Sequence, residues 1–303
     1  MNRRRAAFWI AQGALLVAVA ALLWRAVGRH WDQLRTTEVV VEVRPAWLLP
    51  ATLAVLASYT LLIEAWRRLI QGWGERLPYR DAVRIWTIAN LGRYIPGKVW
   101  AVAGLAVLAR RTGVAGWAAA GSAVVMQGIA LGTGAAIVVG FLPGTLHGAW
   151  LAAAVALAVV TVVVPTWPVA VRRLGSLAGQ PDLAPLSWRA VTASALAATA
   201  SWIAYGIAFW CLVRGVVPGV ALDLPLAIGA FAAGYIVGLL AVFAPGGIGV
   251  REVTLGALIG GVLGVAGAGV AAAAQRILFT LTEGLAALVG LALGGLGPGD
   301  GDD

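Results

Sequence analysis

Charge is scarce in this sequence: Asp, Glu, Lys and Arg together make up 12% of 303 residues. Soluble domains carry about a quarter, so the chain lacks the polar surface that a water-soluble core of this size requires. Cysteine occurs once, at Cys211, which excludes an internal disulfide and a cysteine-held metal. The two histidines, His30 and His147, stand alone, without HExxH or any other metal-ligand spacing. No Ser-His-Asp set and no paired aspartates can be assembled, so classical enzyme chemistry has no foothold. The expectation is a non-enzyme without metal or cofactor. Gly247-x-Gly249 is no dinucleotide fingerprint, because it lies inside an apolar segment rather than after a strand. The net charge of +9 is scattered singly and in pairs between apolar runs. There is no basic stripe with interleaved aromatics, which argues against nucleic acid as a partner.

What the chain has instead is hydrophobicity, at 61% of residues, with a mean hydropathy of +0.89. A bilayer core about 30 Å thick is spanned by roughly 20 apolar residues in a helix. Runs of that kind lie near 7–24, 46–66, 85–109, 117–141, 149–171, 189–213, 224–262 and 270–294. They show no barrel-like alternation, so the fold class is an all-α polytopic membrane protein. The first run follows Arg3-Arg4-Arg5 and reads as an uncleaved span rather than a signal peptide. Trp31, Trp47, Trp66, Trp73, Trp86, Trp150, Trp167 and Trp188 fall near the span ends, as an aromatic belt would.

Two runs are interrupted. Gly92-Arg93-Tyr94-Ile95-Pro96-Gly97-Lys98 breaks 85–109, and Pro245-Gly246-Gly247-Ile248-Gly249-Val250-Arg251-Glu252 breaks 224–262. Proline removes a helical donor and glycine tolerates non-helical angles, so both helices should unwind there. Charge then sets direction. Arg3, Arg4, Arg5, Arg67, Arg68, Arg76, Arg80, Arg84, Arg110, Arg111, Arg172, Arg173 and Arg189 fall on the cytoplasmic side. Arg25, Arg29, Arg35, Arg44 and Arg214 fall outside if each broken run is a re-entrant hairpin. The expected topology is six full spans plus two hairpins in the cell membrane, with both termini cytoplasmic. Pro96-Gly97 and Pro245-Gly246 are 149 positions apart. The same offset carries 46–66 onto 189–213 and 117–141 onto 270–294. One transmembrane domain, 1–303, thus divides into halves 46–141 and 189–294 that read as an inverted repeat of the transporter kind.

Four basic residues, Arg93, Lys98, Arg251 and Arg276, lie inside membrane segments. An intramembrane charge costs on the order of 2.5–3.5 kcal/mol on insertion scales and usually serves a site. Three of them flank the breaks, where a restarting helix offers free N–H groups to an anion. A headgroup phosphate or carboxylate is the expected ligand, with Arg276 added from the last span. The hinge and polar support would come from Gly92, Tyr94, Pro96, Gly97, Gln127, Pro245, Gly246, Gly247, Gly249, Glu252 and Glu283. The competing reading is structural, with the bases snorkelling or paired to Glu252 and Glu283. Arg276, Thr280 and Glu283 share one helical face, so an Arg276–Glu283 ion pair, or partners on another helix, is the expected arrangement. Glu64 near Arg67 and Arg68 reads as a surface charge. Gly128/Gly132, Gly256/Gly260 and Gly290/Gly294 read as helix-packing faces.

The two interruptions, Gly92 to Trp100 and Pro245 to Glu252, together with Arg276-Ile277-Leu278, resemble the signatures of the lysylphosphatidylglycerol synthase transmembrane-region family. The likeness covers nearly the whole chain. It implies a flippase-like membrane domain, found alone or fused to an aminoacyl-lipid synthase, with relatives linked to isoprenoid-linked sugars and hopanoid lipids. No synthase domain follows here, so lipid aminoacylation is not implied. The expected function is movement of an anionic phospholipid or lipid-linked sugar between leaflets. The rival is a non-catalytic scaffold or accessory subunit for a lipid-modifying enzyme or glycosyltransferase.

Overall fold

Helix–helix packing, with no strand among the described residues, builds the whole molecule. The computed structural model describes residues 41–94, 99–142, 148–177, 179–180, 182–241 and 244–293. The run expected at 7–24 therefore lies outside the described residues. The helices are α1 (Pro45–Gly72), α2 (Tyr79–Asn90), α3 (Trp100–Arg110), α4 (Gly116–Phe141), α5 (Ala149–Val163), α6 (Pro168–Leu177), α7 (Trp188–Val216), α8 (Leu224–Leu240) and α9 (Val250–Ala292). Short 3-10 turns occupy Leu91–Tyr94, Val164–Thr166 and Pro245–Gly247.

By length and composition α1, α4, α7 and α9 can each cross a bilayer, and α5 with α6 would make a fifth crossing if that bent pair is one span. Many large apolar side chains point outward, among them Leu196 at 72% and Leu281 at 67% exposure. A water-soluble surface would not carry so much apolar area. The chain is a multi-pass membrane protein.

At the centre, α1 and α7 pack antiparallel along their whole length. Arg44 N–H donates to Gly215 O at 3.0 Å, Ser58 Oγ to Ser201 O at 3.3 Å and Ser194 Oγ to Ala65 O at 3.0 Å. Serine side chains can share carbonyls this way only where helices come close, and small residues permit it. Around this pair, Gly206 of α7 lies so near Ile228 of α8 that a Cβ would fall 2.5 Å from the Ile228 Cα. Gly290 of α9 is pressed against Thr87 of α2, and Gly132 of α4 against Thr161 and Ala158 of α5. Gly256 and Gly260, by contrast, have nothing within 4 Å. Equal four-residue spacing thus marks a packed face in one place and an open face in another.

Both expected interruptions are present. The helix ending at Asn90 tightens into the 3-10 turn Leu91–Tyr94 before α3 starts at Trp100. A Cβ on Gly92 would sit 2.8 Å from the Ala101 N, so the two limbs of the first hairpin nearly touch at the turn. At about 1.5 Å per residue, α2 and α3 reach roughly 18 and 16 Å, half a membrane core. The second hairpin turns through Gly246, Gly247 and Gly249, with φ of +58°, +69° and +83°. Only glycine takes such angles readily.

Two expected spans differ in form. The run at 149–171 bends by 79° between Thr166 and Pro168. Pro165 and Pro168 each lack the N–H that would continue the ladder, so α6 leaves the direction of α5. The runs ending at 262 and starting at 270 are joined in α9 without a loop, broken only at Gly264 with φ +69° and ψ 165°. Trp66, expected in the belt, is fully buried and donates its indole N–H to Ala119 O at 3.4 Å. Trp167 and Trp188 are exposed, as a belt requires.

Candidate functional site

The turn Leu91–Tyr94 packs against Pro245–Gly247, so the two hairpins meet at their interruptions. A cavity of about 150 Å³ opens beside that meeting point. Arg93, Gln127, Gly246, Gly247, Arg251 and Arg276 all line it, as does Glu283. Residues proposed from two distant parts of the chain are therefore gathered at one place. Lys98, Pro96 and Gly97 lie outside the described residues, as do the side chains of Tyr94 and Pro245.

The charges in the cavity are not equivalent. Arg93 Nη1 donates to Glu283 Oε1 at 2.8 Å, while its Nε and Nη2 donate to the carbonyl and Oδ1 of Asn90 at 3.2 and 2.6 Å. Arg276 Nε donates to Glu252 Oε1 at 3.0 Å, and its Nη1 donates to the Gly246 carbonyl at 3.1 Å. Glu252 also accepts the N–H of Gly249 at 2.6 Å. Of the two expected alternatives, Glu283 takes a partner on another element, Arg93, while Arg276 pairs not with Glu283 but with Glu252, on the far side of the Gly264 break within α9. One helical face seven residues long could hold that pair. The fold instead brings Glu252 to Arg276 and Glu283 to Arg93, where each carboxylate can also meet backbone or side-chain donors. The α9 N-terminus is correspondingly already occupied, by the chain's own Glu252 carboxylate.

Arg251 differs from both. It is only 8% exposed, and among the described residues its Nε and Nη2 have no hydrogen-bond partner. Its Cζ stands 4.7 Å from the Phe231 ring centroid, 5.4 Å from Tyr235 and 5.6 Å from Phe279. Aromatic faces return part of the lost hydration of a cation, about 0.5–2 kcal/mol each. They satisfy no N–H group. Gly234 and Gly238 of α8 make room for its stem: a Cβ at Gly238 would meet the Arg251 Cβ at 3.4 Å. The guanidinium is thus held by packing, with unpartnered donors beside a mainly apolar cavity that has room for water or a small anionic group.

Sequence reasoning missed several wall residues. Asn90, Gln275 (2% exposed), Tyr235 and Phe279 all line the same cavity. Asn90 sits one helical turn before Arg93, and Gln275 adjoins Arg276; adjacency to an intramembrane cation was the available signal. Glu64, expected at the surface, bridges Arg67 at 2.7 Å and Arg68 at 2.8 Å on a partly exposed face.

Against known families, residues 9–294 match the model of the lysylphosphatidylglycerol synthase TM region. The chain belongs to that family. A comparison with curated proteins finds no match. As a member of this TM-region family, the chain carries both interruptions and all three described intramembrane arginines on the walls of one cavity.

Proposed function

We propose that this protein is a flippase-like transporter, not an enzyme, which moves an anionic phospholipid or lipid-linked sugar between the leaflets of the cell membrane. The observation that carries this reading is Arg251, a buried cation on the wall of a cavity between two broken helices, whose Nε and Nη2 have no acceptor among the described residues. A site built only for stability would pair such a charge or replace it, because leaving donors unsatisfied costs about 1–3 kcal/mol. An incoming headgroup anion supplies the missing acceptor. Arg93 and Arg276 add positive potential beside it while remaining held by Glu283 and Glu252, and Lys98, outside the described residues, is proposed from the sequence as a further contact to the headgroup. The tails stay in lipid.

The architecture proposed for this function has six spans and two hairpins, both termini cytoplasmic, and inverted halves 46–141 and 189–294. What supports the repeat is the matching order of elements. Each half has a long helix (α1, α7), a hairpin broken by a 3-10 turn, and a final helix. Gly264 falls where the first half has its α3–α4 loop. The α1–α7 pairing then lies on the axis relating the halves. Transporters place substrate sites where broken helices of such repeats meet.

The test is leaflet transfer in proteoliposomes containing the purified chain and a trace of headgroup-labelled phosphatidylglycerol, read by loss of fluorescence to a membrane-impermeant quencher. Transfer by the wild type and its loss in Arg251→Gln are expected. A scaffold or accessory subunit would leave transfer at the protein-free rate in both.

A further inference from the structure

A second cavity, of about 100 Å³, also has Arg93 on its wall. It shares Asn90, Arg93, Gln127 and Tyr235 with the first, so the two are neighbours. Its walls are of another kind. Tyr59, Trp86, Trp202, Tyr205 and Tyr235 contribute five aromatic rings. All but Trp86 belong to one network: Trp202 meets Tyr235 edge-on with centroids 5.2 Å apart and Phe231 at 6.5 Å, Tyr59 meets Tyr205 at 6.4 Å, and Tyr205 stacks on Phe231 at 5.3 Å. Phe231 is the ring beneath Arg251. The aromatic wall therefore runs without interruption from the unpartnered cation to the second cavity.

The polar groups on this wall are neutral apart from Arg93: Asn90, Gln127 and Ser201. Among the described residues lining it there is no carboxylate; Glu283 lies in an adjoining cavity beside Tyr59 and Trp86, where Arg93 already pairs with it. A guanidinium at the rim repels an ammonium group, which opposes the attraction that aromatic faces have for cations. Aromatic faces carry negative charge density that attracts polarised C–H bonds, and amide and hydroxyl groups hydrogen-bond hydroxyls in either sense. A few fixed polar groups in a mainly apolar pocket are what orients a small ligand.

Resting on the anion-site reading above, we propose that this second cavity is a subsite for a neutral, hydroxylated ring carried on the phosphate, so that the preferred cargo is a phosphodiester-linked sugar lipid rather than an ammonium-bearing phospholipid. The phosphate would face Arg251 and the ring would stack among Trp86, Trp202 and Tyr205.

The experiment titrates the detergent-purified full chain with three short-chain prenyl phosphodiesters that differ only in the second ester group: a hexose, a methyl or an aminoethyl. The expected result is that the hexose diester binds about tenfold more tightly than the methyl diester, a gap equivalent to 1.4 kcal/mol, and that the aminoethyl diester gains nothing. Trp86→Leu removes a wall, and Ala123→Leu fills the cavity from α4 without emptying any packing. Each should bring the hexose-to-methyl ratio below about twofold, the smaller fraction of a decade that the same scale allows. Arg251→Gln should weaken all three ligands. Equal binding of hexose and methyl diesters, both lost in Arg251→Gln, would overturn the subsite and leave the anion site standing. Tightest binding of the aminoethyl diester would overturn it too. Binding of none of the three would overturn the anion site, and the subsite with it.

Discussion

Replacing Arg251 with Met should make the protein more stable and less active at once. The wild-type guanidinium is 8% exposed and leaves Nε and Nη2 without acceptors among the described residues. An unsatisfied buried donor costs about 1–3 kcal/mol, more when charged. Two donors carry that cost, and against it stands the attraction of the Phe231, Tyr235 and Phe279 faces at 4.7, 5.4 and 5.6 Å, on the order of 0.5–2 kcal/mol each. Methionine keeps the stem volume between Gly234 and Gly238, adapts to irregular space and still contacts the rings through sulfur. The balance favours the variant by about 1–2 kcal/mol, a rise in unfolding temperature of several degrees by the usual relation of stability to Tm. Lipid transfer should fall by about tenfold or more, because a charge-assisted contact is worth roughly 1.5–3 kcal/mol to the substrate. Tryptophan-fluorescence melting in detergent and proteoliposome transfer give the two readouts. A variant that melts many degrees earlier yet transfers lipid normally would refute the reasoning and make Arg251 a structural residue.

Arg276→Gln and Glu252→Gln should each destabilise the protein, with a coupling of about 1–3 kcal/mol in the double-variant cycle, while Arg276→Gln and Glu283→Gln show a coupling below about 0.5 kcal/mol; melting of the three single and two double variants checks this. Gly206→Ala should lower stability by about 1–3 kcal/mol, because its methyl group would overlap Ile228, whereas Gly256→Ala, facing open space, should be neutral by the same melting assay. In a Cys211→Ala background, Ser176→Cys should react with an impermeant thiol reagent only from the cytoplasmic side and Ala221→Cys only from outside; the reverse pattern would invert the proposed topology.

Much of the architecture was legible because membranes punish deviations. Pro245 and the glycines around it marked a break that the structure places at a 3-10 turn, and Arg93, Arg251 and Arg276 drew notice because charge in an apolar run is costly. Partner choice was not legible. Arg276 and Glu283 share a helical face, but tertiary packing sends Arg276 to Glu252, 24 residues away, and Glu283 to Arg93, 190 away. Nor could spacing tell the packed Gly132 from the open Gly260, since that depends on which helix arrives opposite. The single break at Gly264 carries no proline and resembles any glycine in an apolar helix. The aromatic wall was invisible for a related reason. Trp86, Trp202 and Tyr205 look individually like ordinary membrane-helix residues, and only the fold assembles them into one cavity.

The account rests on the cavity at Arg251 receiving the anionic headgroup of a lipid. Mass spectrometry of lipids that co-purify with the full chain tests this most directly, comparing wild type with Arg251→Met against the bulk membrane. The prediction is a phosphate-bearing anionic lipid enriched on the wild type and reduced to its bulk proportion on the variant. The same lipid profile on both proteins, matching the surrounding membrane, would contradict it.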